Sequence, residues 1–142
     1  MTQPSELSRA EQLQAFIMAV EGKPVEWGRD DCTAWAADWV TEITGKEVPR
    51  LGSYSTLDEA HTIIDEAGGL DVLWSMALAP LSIYETPFEP QLGDVGIVNT
   101  SRLGHVGVIF AQDGVALWRS FQGTALIRPR ARDIVKVWAL PA

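Results

Sequence analysis

The spacing of the apolar residues changes late in this 142-residue chain. Before the change they recur at helical spacing, and after Gly93 five short β-branched runs alternate with turn signals. Helices followed by a run of strands are typical of an α+β domain. We therefore predict one domain over residues 1–142, in which helices within 5–80 pack on an antiparallel sheet of about five strands within 93–140.

Capping residues mark the predicted helix boundaries. Ser8 is followed three positions later by Glu11, which is the pattern of a capping box at the start of a first helix. A second helix begins after Asp30 or Asp31, since an aspartate side chain accepts the free N–H groups of a first turn. Gly45 is placed to end this second helix in the left-handed conformation.

Composition and charge exclude several classes of function. The net charge of −8 argues against nucleic-acid binding. One cysteine and two histidines are too few for a zinc cluster or a disulfide framework. No apolar run approaches the ~18 residues that a membrane span needs, and the polar N-terminus does not resemble a signal peptide. We expect a chain made in the cytoplasm, with no zinc cluster and no membrane span, while composition leaves open an all-carboxylate site for a hard cation.

Cys32 is the only cysteine, and it lies in the first turn of the second predicted helix. A helix N-terminus favours the thiolate, which is the reactive form, whereas the nearby charges of Asp30 and Asp31 disfavour it. The backbone N–H of Cys32 is also placed to stabilise an oxyanion. Cys32 is therefore a candidate nucleophile. The alternative is a small buried apolar residue.

A cysteine nucleophile needs a base, and the chain offers His61 and His105. His61 lies among acidic residues in a predicted third helix, where a solvated histidine is expected. His105 begins a strand on which Gly107 and Ile109 share its face. A helix packed on that face would bring its N-terminus near His105, so we predict a pair of His105 with Cys32. The alternative is a structural or surface histidine.

Three short segments, taken in their order along the chain, resemble the NlpC-type cysteine peptidases, a papain-like superfamily of bacterial cell-wall endopeptidases. The matching segments are Asp31-Cys32-Thr33, Leu92-Gly93-Asp94-Val95 and His105-Val106-Gly107-Val108. The longer stretch WGRDDCTAWAADWVTEITG is similar to a branch found in phage and prophage tail genes, often described only as a domain of unknown function. The resemblance covers residues 25–120.

The resemblance implies a papain-like fold in which the nucleophile helix packs on the sheet. It implies that Cys32 is the nucleophile and that His105 is the general base and later the acid. The implied reaction is hydrolysis of amide bonds in peptidoglycan stem peptides in the bacterial cell wall, without a metal or an organic cofactor. The implied partners are tail-tip or hub proteins of a phage-like particle, which would act at the host cell wall.

The family also has a third polar residue that orients the histidine. The resemblance places Trp118 there, and an indole N–H can only donate a hydrogen bond. Ser120 or a backbone carbonyl is the substitute. Trp27 and Asp31, beside the cysteine, are candidate substrate-binding residues. The alternative function is a structural tail-tip component with a degenerate, inactive NlpC-like fold.

Overall fold

The computed structural model describes residues 8–25, 31–49, 56–102, 104–120 and 122–141, without the side chains of Cys32 and Leu57. Within these ranges four helices come first: α1 (Arg9–Met18), α2 (Cys32–Thr44), α3 (Leu57–Ala67) and α4 (Leu70–Leu78). Five strands follow: β1 (Val95–Thr100), β2 (Gly104–Phe110), β3 (Ala116–Ser120), β4 (Gly123–Ile127) and β5 (Ile134–Trp138). The predicted order of helices and then strands is confirmed.

The helices begin and end at the predicted capping residues. Ser8 Oγ accepts a hydrogen bond from the Glu11 amide at 3.1 Å, and Glu11 Oε1 accepts one from the Ser8 amide at 3.2 Å, which completes the capping box of α1. Asp31 is the N-cap of α2, and Gly45 ends that helix with φ 72°. Local side-chain chemistry therefore sets these boundaries.

The five strands form one antiparallel sheet in the order β4-β3-β2-β1-β5. β4 and β5 are consecutive in sequence yet lie at opposite edges of the sheet. The short connection between them includes a turn of 3-10 helix at Ala131–Asp133, which lies against β1. Ile127 and Ile134, on either side of the connection, both pack on the same face of the sheet. This connection therefore begins and ends on the face of the sheet opposite the helices.

Two apolar clusters lie on opposite faces of the sheet. The helix-side cluster joins α1, α2 and α4 to the sheet, and its largest members are Trp35, Trp39, Trp74 and Trp138. The far-side cluster consists of Val98, Val106, Val108, Phe110, Ala116 and Val137. No helix in the described ranges has the length and apolarity to cross a bilayer. The chain is an α+β protein whose helices pack on one face of an antiparallel sheet.

Candidate active site

The N-terminus of α2 is tightly capped. Asp31 Oδ1 accepts hydrogen bonds from the amides of Thr33 and Ala34, both at 3.1 Å, and the Asp31 carbonyl accepts one from Trp35 at 2.7 Å. Only 2% of Asp31 is exposed. The remaining N–H of the first turn belongs to Cys32, the first residue of the helix. The negative charge of the Asp31 carboxylate, next to Cys32, is thus stabilised by the first backbone N–H groups of the helix.

Trp39 shows where the middle of α2 lies on the sheet. Its indole Nε1 donates to the Gly93 carbonyl at 2.8 Å, and the Gly93 amide donates to the Phe110 carbonyl at 2.7 Å. Phe110 ends β2. The middle of α2 therefore lies at the end of the sheet where β1 begins and β2 ends.

Arg119 binds the segment that follows α1. Its Nη2 donates to the carbonyls of Lys23 at 3.0 Å and Pro24 at 3.2 Å, and its Nη1 donates to the carbonyls of Ser120 and Gly123, both at 2.9 Å. Only 4% of Arg119 is exposed. The guanidinium therefore joins the segment after α1 to the β3–β4 hairpin.

These contacts place the segment after α1 and the middle of α2 at opposite ends of the sheet. The antiparallel register pairs Ile109 with Leu117, so the β3–β4 hairpin lies at the end of the sheet where β2 begins. His105 is at that end. Lys23 and Pro24 lie beside this hairpin, whereas Trp39, in the middle of α2, lies at the opposite end of the sheet.

His105 lies on the face of the sheet that α2 covers. Val106 and Val108 belong to the far-side cluster, whereas Ile109 packs in the helix-side cluster with Trp39. Alternation along β2 gives His105 the face of Ile109, as the sequence predicts. The His105 side chain is exposed at the strand start. His61 is exposed on α3, as expected for a solvated helix histidine.

The prediction that Trp118 flanks the histidine is wrong. Trp118 packs against the far-side cluster, so it lies on the sheet face opposite His105. The reason is the register, because Leu117 rather than Trp118 shares the helix side with Ile109. Alternation along β3 gives Ser120 the same face as Trp118. Neither side chain therefore lies beside the His105 ring.

The two predicted substrate-binding residues have different outcomes. Trp27 lies outside the described residues. Asp31 is described as the buried N-cap of α2, and its role toward a substrate stays a prediction. Sequence reasoning did not single out Arg119 as a site residue. The available signal was a lone arginine on the same strand face as the apolar Val115 and Leu117.

Asp94 is a structural carboxylate rather than part of this site. Its Oδ2 accepts a hydrogen bond from the Gln91 amide at 2.9 Å, and its Oδ1 accepts one from the Leu140 amide at 3.2 Å. Burial raises the pKa of Asp94, while the two hydrogen bonds and the Arg9 charge act in the lowering direction. Asp94 therefore joins the turn before β1 to the end of the chain.

An apolar cleft lies beside the first turns of α2. Its volume is about 20 Å³, and Thr33, Ala36, Trp74 and Val95 are among its lining residues. A space of this size holds about one water molecule. Within the described part of the chain, no three histidine, cysteine or acidic side chains are grouped to hold a metal ion.

No curated protein matches the chain. A family model matches residues 6–140, and that family is described as a domain of unknown function, DUF6950. The match spans all four helices and all five strands. The protein therefore belongs to the DUF6950 family.

Proposed function

We propose that this protein is a cysteine peptidase of a phage or phage-like tail that hydrolyses amide bonds in peptidoglycan stem peptides. Its fold is papain-like and of the NlpC type. Cys32 is the nucleophile and His105 is the base. Tail-tip or hub proteins are its partners, and the chain is made in the cytoplasm before it acts at the host cell wall.

One observation carries the proposal: α2 begins at Cys32 and packs on the strand face that carries His105. The helix N-terminus favours a thiolate at this position. The carboxylate of Asp31 accepts two backbone N–H bonds, so part of the charge that opposes a thiolate is neutralised by the helix. The resemblance to NlpC-type enzymes, in the order of Cys32 and His105, supports the same assignment.

The proposed reaction has two halves. The Cys32 thiolate attacks the scissile carbonyl carbon, and the Cys32 backbone N–H donates to the oxyanion. The C–N bond breaks as the His105 imidazolium gives a proton to the leaving amine, which leaves an acyl-thioester. Neutral His105 then takes a proton from water, whose oxygen attacks the thioester and releases a carboxylic acid and the thiolate.

A structural tail-tip component with an inactive form of the fold is the second candidate. One observation favours it: on β3, Leu117 and Arg119 share the face of His105. Neither side chain can accept a hydrogen bond from an imidazole N–H. A histidine without such an acceptor is a less effective base.

Turnover of purified peptidoglycan and of synthetic stem peptides tests the proposal. We expect Cys32→Ala and His105→Ala to lower turnover at least about a thousandfold, because each removes a group that forms or breaks bonds. His61→Ala is the matched control, since His61 is the other histidine of the chain and is exposed on α3. Equal turnover by wild type and Cys32→Ala would show that Cys32 is not the nucleophile.

Alkylation of the cysteine tests the Cys–His pair without a substrate. Because the chain has one cysteine, incorporation of iodoacetamide reports on Cys32 alone. At pH 7 we expect His105→Ala to slow alkylation by about tenfold, and His61→Ala to leave it unchanged, if His105 supports the thiolate. Equal rates in all three proteins would favour the structural candidate.

A further inference from the structure

Asn99 of β1 and His105 of β2 lie directly opposite each other in the antiparallel ladder. Along such a ladder, hydrogen-bonded and non-hydrogen-bonded pairs alternate. The Phe110 amide donates to the Asp94 carbonyl at 2.8 Å, and four pairs lie between this hydrogen-bonded pair and the pair of Asn99 and His105. The two residues therefore form a non-hydrogen-bonded pair, the type in which opposite side chains come closest.

The side chains of this pair share the sheet face that α2 covers. Ile97 precedes Asn99 by two positions and belongs to the helix-side cluster, so Asn99 projects from β1 on the same side as His105. Both side chains are exposed, and no hydrogen bond joins them in this conformation. Exposed side chains exchange rotamers within nanoseconds, so the amide oxygen of Asn99 can reach the ring.

We propose that Asn99 is the positioning residue of His105. Its amide oxygen accepts a hydrogen bond from one imidazole N–H, which holds the ring in one tautomer and leaves the other nitrogen able to accept a proton. An asparagine can do this and the indole of Trp118 cannot. The acceptor thus comes from β1, whereas the family resemblance places it on β3, the strand on the other side of β2. The role of this contact in catalysis rests on the proposed function.

Nitrogen NMR of the protein labelled in its histidines tests the contact directly. His61 serves as an internal reference, because it is the only other histidine. In the neutral imidazole of His105 we expect one tautomer to predominate, and Asn99→Ala to change the tautomer ratio about three- to tenfold. Asn99→Asp retains an acceptor oxygen and should restore the ratio. Ser101→Ala, an exposed change in the adjacent turn, should leave it unaltered.

The outcomes separate this inference from the proposed function. Nitrogen shifts of His105 that are the same in wild type and Asn99→Ala would overturn it, whatever the enzymatic activity. A changed ratio would support the contact even if Cys32→Ala retained full turnover, which would refute only the peptidase. With an active enzyme, we expect Asn99→Ala to lower kcat at least about tenfold with little change in KM, and Asn99→Asp to recover part of the loss.

Discussion

Arg119 donates a hydrogen bond to the carbonyl oxygen of Lys23 at 3.0 Å, across 96 positions of sequence. Lys23 follows α1, and the chain continues from it toward α2, whereas Arg119 lies on β3. A single guanidinium therefore holds the segment after α1 against the sheet that carries the candidate base.

Replacement of Arg119 should destabilise the protein. Arg119→Met keeps an unbranched apolar stem but removes the donors to four backbone carbonyls, at an expected cost of about 3 kcal/mol in the free energy of unfolding. Urea denaturation measures the change. Arg128→Met is the control, because Arg128 is exposed. Similar losses in the two variants would contradict a special role for Arg119.

The indole N–H of Trp39 should contribute more to stability than that of Trp35. Both residues are buried in α2, with 0% and 1% exposure. Trp39 Nε1 donates to the Gly93 carbonyl, whereas Trp35 Nε1 has no hydrogen-bond partner among the described residues. We expect Trp39→Phe to cost about 1–2 kcal/mol more than Trp35→Phe, since it leaves a buried carbonyl without its donor. Thermal and urea unfolding of the two variants measure the difference in stability. Equal losses of stability would contradict the prediction.

Asp94 should make stability depend on pH. Burial raises its pKa above the ordinary value of 3.8, so between that value and the raised value the folded state binds more protons than the unfolded state. Its contribution to the free energy of unfolding is therefore full below the ordinary pKa and is lost as the pH rises through the raised pKa.

The measurement is urea unfolding of wild type and Asp94→Asn from pH 3 to pH 7. We expect the stability of wild type, relative to the variant, to fall as the pH rises through this range, because the amide does not ionise. Asp58→Asn is the control, since Asp58 is exposed on α3. A difference that is independent of pH would contradict the raised pKa.

The cap at Asp31 should stabilise α2. Asp31→Ala removes the acceptor of the Thr33 and Ala34 amides, with an expected cost of about 1–2 kcal/mol, and Asp31→Asn should retain most of the stability because its amide oxygen still caps the helix. Chemical denaturation compares the two variants. If alanine and asparagine were equally destabilising, the charge of Asp31 rather than its capping oxygen would be the important feature.

The side of the sheet on which Trp118 lies could not be predicted from one strand at a time. Alternation correctly separates Trp118 from Leu117, and it correctly groups His105 with Ile109. Alternation alone does not say which set of side chains on β3 lies on the same sheet face as His105 and Ile109 of β2. That depends on the register across the turn at 111–115, where a shift of one residue exchanges the two faces. The observed pairing of Ile109 with Leu117 turns Trp118 away from His105.

The sequence by itself determined the order of helices and then strands, and the caps at Ser8, Asp31 and Gly45. These features depend on interactions within a few residues, which a linear pattern records. Only the tertiary structure decided that Arg119 binds the segment after α1 and that Asn99 is the cross-strand neighbour of His105. Such contacts follow from strand register and from the packing of helices on the sheet, which involve residues far apart in the chain.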